Sequence, residues 1–583
     1  MHLKKILAVI AVMLSSVVLA QGAETSAAAP KLKPGRKWVF AMTNFASNPS
    51  IDSLIELMQR AKKAGYNGML VSDVKFDKFQ LAAPTTLENL KRFRQVSRDE
   101  GMDFVAGVAP FGYADAMLSN DPNLAEGMAV RNAAFIVQGG QLVPFDETTK
   151  LINGDFEDWK DNTPTAWTPD EPGKISFRDD QVKHGGAASL RQEEVAAGDK
   201  AGRGRMIQKV TVLPWHYYHV SAWIKTENCT SKDWRIFAYD GTKPLNWQQP
   251  VPKPTQDWTQ YHATFNSLDN TELGLYIGCW NGKKGKVWFD DVRIEPGGFV
   301  NVLRRDSLPL KITSTDGKTV YVEGKDFAAV VDPKLGHDPN PGYFTNWHDQ
   351  PVVAVPAGSR LKEGDKVLAS YHFTCTCGKP NNINMCMSEP KTYDIIEKQI
   401  QWMKQNAQPD AYMLSHDEIR MQGWDDSCVK TGKTSGQILG DCVRRCVEIV
   451  KRVEPGKPVM VWNDMFDPNH NAREKDENGQ PFIMYMTRGG TWAGSWDGLS
   501  SDVGVATWLY NSEPSLKFFA DRGEQQVLAG YYDSDPAKIV PWLQTASKFP
   551  GVTGVIYTTW VGDYSKIEAF IDHVKAFEAK AGK

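Results

Sequence analysis

The sequence predicts an α/β fold, a (β/α)8 TIM-type barrel interrupted by a β subdomain and an inserted antiparallel β-sandwich. Three observations support this prediction. Short apolar strands alternate with amphipathic helices at the start of the chain, as a parallel barrel requires. Closely spaced short strands with almost no helical period then replace this pattern, as in a sandwich. The strand–helix alternation returns in the last part of the chain.

The first part of the barrel, residues 36–126, follows a βαβαβ pattern. An apolar stripe from Ile51 to Ala61 predicts a helix that ends at Gly65. Thr85 and Glu88 have the spacing of a capping box, which predicts the start of a second helix. The predicted strands are Trp38–Met42, Gly68–Val71 and Asp103–Val108.

The middle of the chain is predicted to be β structure throughout. Residues 127–150 and 298–345 form the two parts of a β subdomain, in which Asp316-Gly317 predicts a hairpin turn. Residues 151–297 between them form the sandwich. We expect this module to have its own core, so that it can be removed without cutting contacts in the barrel.

The second part of the barrel, residues 346–583, holds more strand candidates than the fold needs. Helices are predicted at 394–405 and 435–453, and Asp535-Pro536 predicts a third helix start. With the first three, the candidates number nine where eight are needed. One of them must therefore lie outside the barrel or be misread, and 367–373 is the candidate for this. The later candidates are 367–373, 411–415, 458–462, 503–508, 526–529 and 552–558.

The amino terminus predicts export. Lys4 and Lys5 precede the apolar run 6–12, and Val18 and Ala20 give the small-residue pattern of a signal-peptidase site. We therefore interpret residues 1–20 as a signal peptide and residues 21–35 as a tether. The run is too short to span a bilayer, so we expect a secreted or periplasmic protein with no membrane span.

All eight cysteines follow residue 228, and an even count in an exported chain makes disulfides plausible. Cys229 and Cys279 both fall in the sandwich, where they can pair with each other. Cys442 and Cys446 share the inner face of a predicted helix, which favours buried, unpaired thiols. The remaining cysteines are Cys375, Cys377, Cys386 and Cys428, and the spacing of the first two is not a usual one for zinc.

Acidic and aromatic residues follow the strands of the barrel, where a barrel of this kind forms its active site. The strand ends carry Asp73, Asp417-Glu418, Trp462-Asn463-Asp464, Trp508, Tyr531-Tyr532 and Trp560. The chain contains five Asp-Glu pairs, but only Asp417-Glu418 directly follows an apolar strand. Carboxyl groups beside aromatic walls suit acid-catalysed cleavage of a glycosidic bond.

The segments that carry these residues resemble the family 20 glycoside hydrolases, the β-N-acetylhexosaminidases. The similar segments are SHDEIRMQGW at 415–424, VMVWNDMFDP at 459–468, VATWLY, VLAGYYD and TGVIYTTW, in the order of that family. The resemblance implies substrate-assisted retaining catalysis on 2-acetamido sugars, with no catalytic cofactor. Glu418 would be the general acid/base, kept protonated by burial and by its neighbour's charge, and Asp417 would hold the acetamido N–H. The other implied roles are donation to the acetamido oxygen by Tyr532, enclosure of the methyl group by Trp462, Trp508 and Trp560, and lining of the pocket by Trp424 and Asp464.

The sandwich resembles the jelly-roll carbohydrate-binding modules attached to polysaccharide hydrolases. The resemblance rests on LINGDFEDW from Leu151, on HVSAWIKT and on KVWFDDVRI at 286–294. It implies a structural calcium ion held by Glu157 and Asp291, whose carboxylate oxygens suit that ion.

The composition fits a saccharide partner. The net charge of −3 gives no support for a nucleic-acid or membrane partner. Nineteen Trp and eighteen Tyr residues supply aromatic planes on which sugar rings stack. We therefore expect an oligo- or polysaccharide as the substrate.

Two other functions stay open. In the first, Glu418 remains the acid/base, but Asp464 or another strand-end carboxylate acts as the nucleophile on a polysaccharide without acetamido groups. In the second, the barrel has lost activity and the protein only binds glycans; the presence of both Asp417 and Glu418 argues against this.

Overall fold

A computed structural model describes residues 32, 34–169, 172–193, 204–230, 234–248, 250–279, 284–379, 381–484, 486–508 and 512–581. Eight parallel strands form a closed barrel in which neighbours follow the order of the chain. Pairing of the first strand with the last, Val39 beside Tyr557, closes it. The barrel strands are β1 Arg36–Met42, β2 Gly68–Ser72, β3 Asp103–Val108, β4 Ala411–Leu414, β5 Val459–Trp462, β6 Val503–Thr507, β7 Gln526–Leu528 and β8 Val552–Tyr557.

Helices lie between most of the barrel strands. They are α1 Asn48–Ala64, α2 Val74–Asp77, α3 Pro84–Asp99, α4 Pro390–Asn406, α5 Asp426–Val429, α6 Ser435–Val453, α7 Glu513–Asp521, α8 Ile539–Ala546 and α9 Ile567–Ala581. Short 3-10 turns occur at Phe79–Leu81, Met117–Ser119, Pro122–Leu124, Asp464–Phe466, Ser495–Gly498 and Pro536–Lys538. Within the described residues, no helix is long and apolar enough to cross a membrane.

Local signals in the sequence set some helix ends correctly and one wrongly. Gly65 ends α1 with a φ of 108°, and its N–H donates to Ala61 O, as predicted. The predicted capping box at Thr85 and Glu88 is wrong, because α3 already begins at Pro84 and no side chain caps it. Proline suits this first helical position, since it has no N–H that needs a partner there.

The strand at Lys366–Phe373 lies outside the barrel, which resolves the surplus of strand candidates. It belongs to a five-stranded antiparallel sheet, the β subdomain. The predicted hairpin at Gly317, with a φ of 73°, joins two of its strands. In order across the sheet the strands are Val320–Tyr321, Lys311–Ser314, Lys366–Phe373, Met128–Gln138 and Gln141–Pro144.

The inserted segment forms two antiparallel sheets, as a sandwich requires. One sheet contains, in order, Gln256–Asn266, Tyr217–Glu227, Lys286–Pro296, Ser189–Glu193 and Ser176–Asp179. The other contains Trp234–Tyr239, Glu272–Cys279, Arg205–Thr211 and Thr168–Pro169. Two small ladders pair Trp159–Lys160 with Thr163–Pro164 and Met421–Gln422 with Met486–Thr487.

The predicted signal peptide, residues 1–20, lies outside the described residues, as does most of the predicted tether at 21–35. The side chain of Cys279 is not described either, so its pairing with Cys229 stays a prediction. The domain boundaries at 126, 150, 297 and 345 also stay predictions.

The core of the sandwich is continuous with that of the β subdomain, which differs from the separate core expected from the sequence. One hydrophobic cluster contains Val220 and Phe289 of the sandwich together with Val130 and Phe373 of the subdomain. Tyr217 carries the contact across the junction, because its ring stacks on Phe373 with centroids 3.7 Å apart. Removal of the sandwich would therefore expose apolar surface of the subdomain.

We predict that Tyr217→Ala lowers the free energy of unfolding by about 3 kcal/mol, as expected for loss of a buried aromatic ring. Tyr217→Phe is the matched control and should cost about 1 kcal/mol at most, since it removes only the hydroxyl group. Urea denaturation followed by fluorescence measures both. Equal stability of wild type and Tyr217→Ala would show that this junction does not hold the two domains together.

Candidate active site

A cavity of about 710 Å³ opens at the carboxyl ends of the barrel strands. Carboxyl groups and aromatic rings dominate its wall, and six of the residues selected from the sequence are among them: Asp417, Glu418, Trp462, Asp464, Trp508 and Trp560. The other lining residues are Phe40, Met42, Leu70, Ser72, Val74, Asp77, Gly107, Val108, Pro110, Tyr113, Asp115, Lys379, Asn381, Met413 and Ser415.

The alternation of the strands explains why most of these side chains face the cavity. Along each strand, every second side chain points into the barrel, so these side chains share an odd or even position number, here called their parity. Met413 of β4 is one of them. Asp417 continues that parity beyond the end of β4, as does Asp464 beyond β5, where Met460 and Trp462 face inward. Trp508 and Trp560 continue β6 and β8 in the same way.

Glu418 has the opposite parity and reaches the cavity through a backbone turn. Its φ is 48°, a left-handed conformation that costs a residue with a side chain about 1 kcal/mol. Gly112 packs directly against this turn: a Cβ atom there would lie 2.1 Å from Asp417 O and 2.7 Å from Glu418 O. Only glycine leaves room for the turn that brings two adjacent carboxyl groups to one cavity.

The Glu418 carboxyl group is held through one of its oxygens. Oε2 contacts the guanidinium group of Arg420 and the hydroxyl group of Tyr113. The Glu418 side chain is 40% exposed, whereas that of Arg420 is 10% exposed. The expected burial of Glu418 is therefore wrong, because this carboxyl group is open to the cavity and lies beside a cation. Burial raises the pKa of Tyr113 to about 12, so its hydroxyl group stays a hydrogen-bond donor.

Burial acts instead on the two neighbouring carboxyl groups. It raises the pKa of Asp417 to about 6, with a further contribution from the charge of Glu418. Burial raises the pKa of Asp464 well above its usual range, and the charge of Asp417 adds to this effect. Asp464 Oδ2 accepts hydrogen bonds from Glu418 N and from Asn471 Nδ2, both at 3.2 Å. Asp464 therefore supports the backbone that presents Glu418.

Aromatic rings form one wall of the cavity. Trp462 and Trp560 lie with ring centroids 5.9 Å apart, and Phe40 contacts both rings, at 5.9 and 5.2 Å. Trp560 is 41% exposed, so its face is available to a ligand. Trp508 stands apart from this group and contacts His470.

The structure does not bring Tyr532 and Trp424 to this cavity. Tyr532 is fully buried on the outer side of the barrel, where its ring packs on Phe570 of α9 at 4.6 Å. It shares the parity of the outward-facing Leu528, whereas Tyr531 shares that of the inward-facing Val527. Strand alternation therefore contradicts the role assigned to Tyr532.

Trp424 lies in the core shared by the subdomain and the sandwich, 6.4 Å from the ring of Trp215. Its backbone N–H donates to Glu126. Trp424 therefore lies outside the cavity, although it follows Glu418 closely in the sequence and was predicted to line the pocket.

Several residues that line or support the cavity were not predicted from the sequence. Tyr113 and Asp115 follow β3, so the rule that strand ends form the site points to them, and Arg420 is two residues beyond Glu418. Burial raises the pKa of Asp115 to about 6 and that of Asp77 well above its usual range. Asp73, by contrast, caps α2 by accepting from Lys75 N at 3.0 Å.

In the sandwich, Glu157 and Asp291 both contact the segment 184–188. The two carboxylate oxygens of Glu157 accept from Ala187 N at 2.9 and 2.7 Å. Asp291 Oδ2 lies 2.6 Å from His184 Nδ1, and the neighbouring Asp290 accepts from His184 N. The fold thus brings two carboxylates from distant parts of the sequence to one segment.

We predict that Asp417 contributes stability that is lost as the pH rises from about 4 to about 6, because its raised pKa favours the folded state only while this group is protonated. The full effect of this one group is about 3 kcal/mol for a shift of two units. Asp417→Asn should remove that part of the pH dependence, measured by urea denaturation across this range. Asp306→Asn, at a fully exposed side chain, is the control. An unchanged profile in Asp417→Asn would contradict the raised pKa.

Comparison with known proteins identifies the central module. Residues 149–282 match the sequence model of the carbohydrate binding domain family, so the chain carries a carbohydrate-binding module. A solved family 4 carbohydrate-binding module is 18% identical over 25% of this chain and 99% of its own, with a TM-score of 0.19. A family 61 module in complex with β-1,4-galactotriose is 14% identical over 25% of this chain and 98% of its own, with a TM-score of 0.20.

A solved structure among those that match covers most of the chain. A rhamnosidase from Novosphingobium sp. is 11% identical and has a TM-score of 0.33, with 94% of this chain covered. The chain spans 59% of that protein's length. No curated protein sequence matches the chain. The comparisons therefore show a carbohydrate-binding module within this chain.

Proposed function

We propose that this protein hydrolyses glycosidic bonds in the cavity at the carboxyl ends of its barrel strands. The observation that carries the proposal is the meeting of Asp417, Glu418 and Asp464 with an aromatic wall in one open cavity. Such a cavity supplies acid groups for the scissile oxygen and apolar faces for the sugar ring. A carbohydrate-binding module in the same chain fits a glycan substrate.

Glu418 is the proposed general acid/base. Its contacts with Arg420 and Tyr113 both involve Oε2, so Oε1 is the oxygen that can carry a proton to a leaving group. The exposed part of this side chain lines the cavity, where a bound sugar would contact it. The same group can then accept a proton from the water that completes hydrolysis.

Asp417 is the proposed partner of a 2-acetamido group, as in the family 20 glycoside hydrolases that this region resembles. With a pKa of about 6, this carboxyl group is largely ionised at neutral pH. Its negative charge beside the acid would orient the acetamido N–H and stabilise the positive charge that develops when the acetamido oxygen attacks. Trp462, Trp508 and Trp560 are the proposed apolar contacts of the substrate, without the hydrogen bond first assigned to Tyr532.

A protein nucleophile is the second candidate mechanism, and Asp464 is its best carboxyl group. Two observations count against it. Burial and the charge of Asp417 raise the pKa of Asp464 well above its usual range, which disfavours the ionised form that a nucleophile needs. Its Oδ2 is also occupied by Glu418 N and Asn471 Nδ2. The substrate-assisted mechanism, in which Asp464 has a supporting role, is therefore the one we propose.

The remaining features extend the proposal. We propose that the barrel is of the TIM type and that the protein acts outside the cytoplasm, where polymeric glycans are accessible. We also propose that Glu157 and Asp291 hold a calcium ion in the sandwich, because both flank the segment 184–188.

We predict that Glu418→Gln lowers turnover by roughly a hundredfold to ten-thousandfold, because the amide cannot transfer a proton. Hydrolysis of an aryl 2-acetamido glycoside measures the change, and circular dichroism checks the fold. Glu448→Gln, at an exposed glutamate on α6, is the matched control and should retain full turnover. Near-normal turnover in Glu418→Gln would remove this residue from the mechanism.

We predict that a thiazoline analogue of the cyclic intermediate inhibits the wild type strongly and Asp417→Asn at least about a hundredfold less, because the variant lacks the stabilising charge. Inhibition constants measure the difference. A 2-fluoro glycoside tests the second mechanism in the same proteins. Covalent labelling of Asp464, seen by mass spectrometry, together with no thiazoline inhibition would establish a protein nucleophile instead.

We predict that millimolar calcium raises the temperature of unfolding of the wild type, since an ion that binds only the folded state stabilises it. Glu157→Gln should abolish the shift, and magnesium at the same concentration should have little effect because it favours smaller, octahedral sites. Differential scanning calorimetry after chelation measures each case. An unchanged unfolding temperature in the wild type would rule out the calcium site.

A further inference from the structure

Four buried side chains with metal-ligating atoms meet beneath the loop that follows β4. They are Glu126, Cys386, Asp425 and Cys428, and one ligand atom of each lies within 4.8 Å of the others. Each residue is at most 2% exposed. We propose that these four residues form a tetrahedral metal site, with Zn²⁺ as the ion that suits two thiolates and two carboxylates.

The distances between the candidate ligand atoms fit a tetrahedron. Zinc takes bonds of about 2.3 Å to sulfur and about 2.0 Å to carboxylate oxygen, which separates two sulfur ligands by about 3.8 Å and a sulfur from an oxygen by about 3.5 Å. In this structure Cys386 Sγ and Cys428 Sγ are 3.8 Å apart. Cys428 Sγ lies 3.5 Å from Glu126 Oε2. Both separations match those of a filled site.

Neighbouring groups orient the candidate ligands. Glu126 Oε1 accepts from Trp424 N at 2.8 Å and from Asp425 N at 3.4 Å, which turns Oε2 toward the sulfur atoms. Asp425 Oδ1 accepts from Cys428 N at 3.0 Å, and Oδ2 contacts the Arg305 guanidinium group. Hydrogen bonds of this kind fix the ligands of protein metal sites and tune their affinity.

Gln422 gives a second observation that points to this cluster. Its Nε2 lies 3.8 Å from Cys428 Sγ, within range of the N–H···S contact that a thiolate accepts. The amide oxygen of the same side chain is buried and has no hydrogen-bond partner within the described part of the chain. A fully buried amide with one end directed at a cysteine is costly unless the environment provides an ion or another polar group.

The charge balance also favours a dication. Two thiolates and two carboxylates carry four negative charges, of which Zn²⁺ neutralises two. Arg305, 3% exposed in its side chain, lies beside Asp425 and also pairs with the buried carboxylate of Glu389 at 3.3 Å, so its positive charge is shared between the two. On binding, each thiol releases its proton to solvent as a Zn–S bond forms, and no atom changes its oxidation state. Sulfur ligands exclude calcium and magnesium, which prefer oxygen.

The proposed ion would join three segments that build the active-site region. Glu126 precedes the subdomain strand Met128–Gln138, and Cys386 lies in the loop before α4. Asp425 ends the loop that begins with Asp417 and Glu418, and Cys428 lies in α5 directly after it. A metal bond to Asp425 and Cys428 would fix the far end of the loop that presents the acid. The site is therefore structural, with no open position for a substrate.

A second cluster that contains thiols is the main alternative site for a bound metal ion. His416, Cys442 and Cys446 also come within 4.8 Å, with His416 Nε2 3.6 Å from Cys442 Sγ. It offers three ligands where the first cluster offers four. An ion bound to the protein must therefore be located by substitution, since both clusters contain two cysteines.

The test uses full-length protein refolded under reducing conditions with Co²⁺ in place of Zn²⁺. We expect one cobalt ion per chain, with the strong absorption of a tetrahedral ion bound to two thiolates. Cys386→Ala should lose this absorption, while Cys442→Ala and the buried control Cys375→Ala should retain it. Glu126→Gln keeps the shape of the side chain and should weaken cobalt binding at least tenfold, which covers the case in which Cys386→Ala fails to fold.

Three results would overturn the proposal. The first is reduced, folded wild-type protein that binds no cobalt. The second is absorption that survives in Cys386→Ala and disappears in Cys442→Ala, which would place the ion at His416. The third is a Cys386–Cys428 disulfide in protein isolated from an oxidising compartment, detected by mass spectrometry of peptides from the unreduced chain.

Discussion

The close approach of Gly112 to the backbone of Asp417 and Glu418 is the constraint on which the proposed site depends. Two adjacent residues on a regular strand point to opposite faces, so an Asp-Glu pair cannot present both carboxyl groups to one cavity without a turn. The left-handed conformation of Glu418 provides that turn, and the absence of a side chain at Gly112 makes space for it. Any larger residue at position 112 would displace the acid.

The segment between β3 and the β subdomain links this constraint to the rest of the molecule. Residues 109–126 supply Gly112 against the turn, Tyr113 against Glu418 and Glu126 beneath the end of the same loop. The subdomain that follows shares its core with the carbohydrate-binding module. The loop after β3, the β subdomain and the carbohydrate-binding module are thus connected to the residues that position the Glu418 carboxyl group.

Much of this arrangement was predictable because repeating patterns carry it. Strand alternation and strand ends located the barrel and led to Asp417, Trp462, Asp464, Trp508 and Trp560. The same alternation, applied consistently, would have rejected Tyr532. Contacts between distant segments were not predictable: no pattern in the sequence pairs Arg420 or Tyr113 with Glu418, and none places Cys386 beside Cys428.

The charge states of the carboxyl groups in the cavity also could not be predicted from the sequence. Burial follows from packing around a residue and not from its neighbours in the chain. The sequence therefore favoured Glu418 as the buried acid, whereas Asp464 is the buried carboxyl group and loss of solvent raises the pKa of both Asp417 and Asp464. We propose that ionised Asp417 stabilises the acetamido group while exposed Glu418 transfers the proton. These two roles suit a substrate that carries its own nucleophile.

The most direct measurement compares the hydrolysis of two aryl glycosides that differ only in the substituent at C2, an acetamido group in one and a hydroxyl group in the other. Because Asp417 is proposed to act on the acetamido group, wild-type protein should have a kcat/KM at least about a hundredfold higher for the acetamido sugar. Equal rates for both sugars, or hydrolysis of the hydroxyl sugar alone, would contradict the proposed mechanism.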